Sequence, residues 1–86
     1  MDKFFFIINP KSGTAKDNAS LEDFILKYFK DSQIHCTDYK GHAKELANQC
    51  VEDGFKNLAV VGGDGTINEV LSEIIDKDIN LAVIPK

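Results

Sequence analysis

Short apolar runs closed by turn residues alternate along this chain with longer stretches whose apolar positions recur every three or four residues. Lys3 to Ile8 is a continuous apolar run ended by Asn9-Pro10, the pattern of a strand buried on both faces. Leu21, Phe24, Ile25, Tyr28 and Phe29 then follow the i, i+3, i+4, i+7, i+8 spacing of one helix face, with Ser20 placed to cap its start. Gln33 to Thr37 reads as a short second strand. Ala43, Leu46, Ala47, Cys50 and Val51 repeat the helical spacing, and Gly54 stands where a helix end favours a left-handed residue. Leu58 to Val61 is a third strand. Ile67, Val70, Leu71, Ile74 and Ile75 predict a third helix, and Leu81 to Ile84, closed by Pro85, a fourth strand.

The resulting order is βαβαβαβ, which predicts an α/β domain of three layers around an open parallel sheet. In such a sheet every loop that follows a strand emerges at the carboxyl edge, where ligands bind. The loops to inspect are therefore Asn9 to Gly13, Thr37 to Gly41, Gly62 to Thr66 and whatever follows Pro85.

A chain of 86 residues has room for one small domain. At that size only roughly 60% of the unfolded surface is buried, so stability is expected to be modest. The net charge of −4 and ten scattered lysines, with no arginine, argue against a nucleic-acid partner. Cys36 and Cys50 are far from any C-x-x-C spacing and read as reduced, largely buried thiols of a cytoplasmic protein. Phe4 to Ile8 is too short for the apolar region of a signal peptide or for a membrane span.

Gly62-Gly63-Asp64-Gly65-Thr66 joins a buried strand to a helix. Glycines there remove the Cβ atoms that would hold a phosphate off the backbone, and they permit positive φ. The helix start that follows offers unpaired N–H groups and partial positive charge. Asp64 would face the phosphate, which suits a carboxylate holding Mg²⁺ or its water shell. Thr66-Ile67-Asn68-Glu69 is also a capping box, which by itself explains Thr66 and Glu69. No G-x-x-x-x-G-K-[ST] is present, and Asn68 stands in place of the third glycine of a dinucleotide fingerprint. Asn9-Pro10 and Ser12-Gly13 are ordinary turn dipeptides, yet their place at the end of the first strand lets Ser12 and the backbone near Gly13 reach the same phosphates. Thr37 fits either a nucleotide contact or a plain strand residue. Lys11 and Lys40 read as solvated charges or phosphate ligands, and His35 and His42 stand without partners.

Together, Asn9-Pro10-Lys11-Ser12-Gly13, Thr37-Asp38-Tyr39-Lys40-Gly41-His42-Ala43 and Gly62-Gly63-Asp64-Gly65-Thr66-Ile67-Asn68-Glu69 resemble three successive motifs of the diacylglycerol and sphingosine kinase superfamily. The resemblance covers essentially the whole chain, in order and spacing. The Gly-Gly-Asp-Gly-Thr motif is shared with NAD kinases and phosphofructokinases, whereas Asn-Pro-x-Ser-Gly points to the lipid kinases.

The resemblance implies a phosphofructokinase-like ATP domain. ATP would be held by Asn9, Pro10, Lys11, Ser12 and Gly13, by Thr37, and by Gly62, Gly63, Asp64, Gly65, Thr66, Ile67, Asn68 and Glu69. Asp64 would be both the catalytic residue and the Mg²⁺ ligand. The implied reaction is transfer of the ATP γ-phosphoryl group to a lipid hydroxyl, diacylglycerol foremost. In the family a Gly-Thr-Gly-Asn-like turn and a second, mainly β domain follow, and that domain carries much of the lipid site. Residues 1–86 therefore correspond to an incomplete N-terminal nucleotide-binding domain. Alone it is expected to be inactive and prone to self-association, and to meet a membrane only peripherally, through the second domain. The rival readings are an NAD-kinase-like enzyme and a non-catalytic phosphate-binding module.

Overall fold

Two strands in the middle of a parallel sheet must be apolar on every residue, because helices cover both faces. The computed structural model, which describes residues 3–12 and 15–85, has this arrangement. The elements are β1 (Phe4–Ile8), a 3-10 turn (Pro10–Ser12), α1 (Ala15–Tyr28), β2 (Gln33–Cys36), α2 (His42–Glu52), β3 (Asn57–Gly62), α3 (Asp64–Ile74) and β4 (Asn80–Pro85). The sheet order is β2-β1-β3-β4 and every pairing is parallel. The α/β class, the strand order along the chain and the three layers are those expected from the sequence.

Side chains alternate along a strand, so the central pair builds two cores. Phe5 and Ile7 of β1, with Leu58 and Val60 of β3, face Ala43, Ala47 and Cys50 of α2 and Val70 and Ile74 of α3. Phe6 and Ile8, with Ala59 and Val61, face Ile25 of α1. Phe4, Phe6 and Phe29 form a ring triangle with centroids 5.5–5.8 Å apart, which fixes the end of α1 on the sheet. Each fully buried large side chain contributes about 1.5–3 kcal/mol relative to exposure. An Ile7→Ala change leaves a cavity between two layers and is expected to remove about 2–5 kcal/mol.

The end of α2 is as its sequence predicts. Gly54 takes φ 81° just after the helix, its N–H donating to Val51 O and that of Phe55 to Cys50 O, a Schellman arrangement. The start of α1 differs: the helix begins at Ala15, so Ser20 is an interior residue and not a cap. Apolar spacing marks only the stretch that touches the sheet, and Ala15 to Ala19 carry no such spacing. β2 ends at Cys36, one residue before Thr37.

Two helix faces are also narrower than their spacing suggests. Phe24 and Tyr28 of α1, and Leu71 and Ile75 at the end of α3, are exposed. Among the described residues, α1 is alone on its side of the sheet and no element lies beyond β4. Only the residues pointing straight at the strands are therefore covered. Phe24 and Tyr28 pack on one another, with ring centroids 4.8 Å apart.

His35 stacks on Phe5, ring centroids 4.4 Å apart. Burial pushes its imidazole below the ordinary pKa of 6.5, with His42 adding to the shift and Asp53 opposing it. The folded state thus holds this proton less tightly than the unfolded chain. His35 contributes stability that is intact above the ordinary pKa and is lost as pH falls below it. Urea unfolding at about pH 7.5 and about pH 5 should show a smaller acid-side loss in His35→Gln than in the parent chain.

Candidate functional site

The connection leaving β1 turns toward β2, while β3 lies on the other side of β1. The strand order therefore switches between β1 and β3, and a crevice opens at their carboxyl ends. The crevice is a cleft of about 340 Å³ lined mainly by Asn9, Lys11, Thr37, Tyr39, Gly65 and Glu69, with Thr66 in its wall. That volume is within the usual range for small-molecule sites, roughly 300–1,000 Å³.

Asn9 is the joint of this site. Its backbone N–H donates to Val61 O at 2.9 Å, extending the β1–β3 ladder by one bond. Its side-chain Oδ1 accepts from the Lys11 N–H at 3.0 Å, closing the turn after the strand. Its Nδ2 donates to Thr66 Oγ1 at 3.0 Å, tying that turn to α3. Thr37 continues the ladder on the other side, its N–H donating to Ile8 O at 2.9 Å. The segment before α2 is held by His42, whose Nδ1 accepts from the Asp38 N–H at 2.9 Å. His42 thus has a structural partner that its sequence context does not reveal.

The glycine segment departs from its sequence reading in two ways. First, α3 starts at Asp64 with Gly63 as the capping residue in an extended conformation, φ −86° and ψ −175°. The capping box expected at Thr66–Glu69 is therefore not formed. Thr66 is inside the first turn and its hydroxyl is taken by Asn9. Asp64 in that turn complements the positive helix end. Second, the described residues with positive φ are Asp31, Gly41 and Gly54, none of them in this loop. The glycines here answer to space. A Cβ on Gly62 would come within 3.0 Å of Thr66 Cβ, so Gly62 lets helix and strand touch. A Cβ on Gly65 would meet no protein atom within 4 Å and would project into open space beside the cleft that Gly65 lines.

No side chain caps α3, so the N–H groups of its first turn are left for a ligand or solvent. Glu69 Oε1 is shielded from solvent in the cleft wall and has no hydrogen-bond partner. Among the described residues, no group of three or more His, Cys, Asp or Glu side chains can hold a metal ion alone. The thiols are not part of the site. Burial raises the pKa of Cys36, with Glu22 adding to the shift, and pushes Cys50 up to about 11.

Of the residues singled out in the sequence, the cleft brings together Asn9, Lys11, Thr37, Gly65, Thr66 and Glu69. Gly62 is buried at the strand–helix joint, and Asp64 and Asn68 are exposed on α3. Ile67 packs against the core on the α2–α3 side. Pro10 is in the turn after β1; Gly13 and the Ser12 side chain lie outside the described residues. Asp38, Tyr39, Lys40 and Ala43 also line the cleft. In the sequence all four belong to the second motif, after β2, and Lys40 is the one with a candidate role of its own, as a phosphate ligand.

The family model described as "Diacylglycerol kinase catalytic domain" matches residues 3–86. YtlR of Bacillus subtilis, named as a candidate lipid kinase, is 36% identical over 92 residues, covering 99% of this chain and 30% of that one. A diacylglycerol kinase of Staphylococcus saprophyticus is 33% identical over 84 residues, covering 92% of this chain and 28% of that one. The crystal structure of a diacylglycerol kinase from Bacillus anthracis superposes with a TM-score of 0.79 at 28% identity, covering 98% of this chain and 32% of that one. The chain thus spans under a third of the length of these relatives.

The different surroundings of Gly62 and Gly65 predict opposite effects on stability. Gly62→Ala is expected to push α3 off the sheet and destabilise the fold by about 1–3 kcal/mol. Gly65→Ala is expected to stabilise it by about 0.5–1 kcal/mol, since it adds a helix-favouring residue in free space. Thermal melts of the two variants beside the parent chain would separate them. From its motifs, its fold and its relatives, the chain belongs to the diacylglycerol kinase catalytic domain family.

Proposed function

We propose that this chain is the ATP-binding part of a lipid kinase that transfers the γ-phosphoryl group of ATP to a lipid hydroxyl, that of diacylglycerol foremost. The observation that carries the proposal is the cleft at the switch point. There an uncapped helix start and a glycine with free space before it face a pocket of ligand size. Family membership supports the reaction class.

The residues present fit a nucleotide. First-turn N–H groups of α3 would donate to phosphate oxygens, and Gly65 leaves room for them to approach. Lys11 and Lys40 would offset part of the phosphate charge. Glu69 Oε1, without a partner in the fold, would accept a hydrogen from a ribose hydroxyl or another nucleotide donor. Asn9 and Thr37 would set the floor on which the nucleotide lies. Asp64 would hold Mg²⁺ only jointly with phosphate oxygens and water. When bound, that ion would neutralise charge on the transferring phosphoryl group. The protein's own task is positioning and charge compensation.

The acceptor site and the group that takes the hydroxyl proton would belong to the remaining length of the full-length relatives. Membrane contact would be peripheral and made by that region, in a protein of the cytoplasm. Among the described residues no helix is long and apolar enough to cross a membrane.

In the complete gene product, Asp64→Asn is expected to lower phosphoryl transfer to diacylglycerol about 100-fold or more with an unchanged circular dichroism spectrum. Near-normal turnover would remove Asp64 from the mechanism. Gly65→Ala, expected to be stabilising, should at the same time weaken ATP binding measured calorimetrically. Unchanged ATP affinity would leave the glycine segment with a structural role only, as in a non-catalytic module.

A further inference from the structure

Tyr39 is the one aromatic side chain among the residues lining the cleft, and it belongs to neither core. It is 49% exposed. Its ring meets that of His42 edge to face, with centroids 4.4 Å apart and planes at 82°. His42 is itself fixed by the Asp38 N–H, and its own N–H donates to Tyr39 O at 3.1 Å. The Glu45 carboxylate, in the same first turn of α2, acts on the phenol and keeps its pKa above the usual tyrosine range. The ring is thus packed against the first turn of α2 through His42. Whichever of the two rings presents its edge, at least one face of Tyr39 remains clear of His42.

The sheet sets the distance between this ring and the glycine segment. Tyr39 follows β2 and Gly65 follows β3, with β1 between them. Two strand spacings separate the loops by about 10 Å. A ligand with a phosphate end at α3 and a flat base at Tyr39 would lie across the end of β1, above Asn9. Neither lysine in the cleft nor the carboxylates offers a planar apolar surface.

We propose that Tyr39 is the stacking platform for the base of the bound nucleotide, so that it selects a nucleoside triphosphate over a bare polyphosphate. The inference rests on the nucleotide-binding reading above. An aromatic ring stacks on the face of a base without reading its edge. Tyr39 therefore provides affinity for ATP, while hydrogen bonds from elsewhere in the protein choose among bases.

The test is calorimetric titration of the complete gene product with ATP and, separately, with tripolyphosphate, for the parent and for Tyr39→Phe, Tyr39→Leu and Tyr39→Ala. The expected result is a loss of ATP affinity of about ten-fold in Tyr39→Ala and several-fold in Tyr39→Leu. Tyr39→Phe, which keeps the ring, should stay within about two-fold of the parent, and tripolyphosphate affinity should change by less than about two-fold throughout. Tyr39→Leu keeps bulk beside His42, so it serves should Tyr39→Ala lose its fold. Unchanged ATP affinity in the leucine and alanine variants, or an equal loss for ATP and tripolyphosphate, overturns the stacking role and leaves the nucleotide site standing. A parent protein that binds neither ligand overturns the nucleotide reading and this inference with it.

Discussion

Burial of β1 and β3 on both faces is the constraint from which the rest of this structure follows. Phe5, Ile7, Leu58 and Val60 require α2 and α3 on one side, and Phe6, Ile8, Ala59 and Val61 require α1 on the other. Parallel strands can be joined only by crossovers, and right-handed crossovers send α1 and the α2–α3 pair to opposite faces because the chain moves in opposite directions across the sheet. Once that is fixed, the loops after β1, β2 and β3 must meet at one edge. The cleft is thus a consequence of covering two apolar strands, and its chemistry is whatever residues occupy those three loops.

What turns a loop edge into a shaped site is close contact between strand and helix. Gly62 allows Thr66 to approach the end of β3, and only from there can the Thr66 hydroxyl accept from Asn9. Asn9 in turn spends its whole side chain on the turn and on α3, while its backbone stays in the ladder. The two residues hold the first turn of α3 against the end of β1 without any strained backbone in the glycine segment. Any anion site here would depend on where the N–H groups point, and Asn9–Thr66 fixes that direction at the cost of two side chains that bond each other first.

The sequence makes the layers legible because periodicity reports burial, and burial is what defines them. Strand limits were within a residue or two, and Gly54 marked the end of α2 because a left-handed position admits few alternatives. Helix starts were harder to read. Ala15 to Ala19 carry no apolar spacing, so the sequence places the start of α1 at Leu21, behind a Ser20 cap. The Thr66–Glu69 pattern fits a capping box as a string, but the string does not show that Asn9 competes for the same hydroxyl across 57 positions. The site was legible as three loops at one edge. The contact between Tyr39 and His42 was not, since an aromatic and a histidine three apart acquire meaning only when α2 turns them onto one another at the cleft.

Charge decides how far this cleft can act through protein groups alone. Lys11 and Lys40 are its cationic lining, and Asp38 and Glu69 are on the same walls, so the lining residues carry no formal excess of positive charge. Asp64, exposed at the start of α3, adds a further negative group close by. A polyphosphate brought here faces partial charges from one helix end, worth about 0.3–1 kcal/mol for an exposed anion, against like charges of comparable strength. Long-range attraction by the protein is also unfavourable, given a net charge of −4. Such a lining would favour a phosphate that arrives with its charge already offset by a divalent cation. In that setting Asp64 would change from a repelling neighbour to a ligand, and a cleft without excess positive charge would be compatible with the phosphoryl chemistry proposed for it.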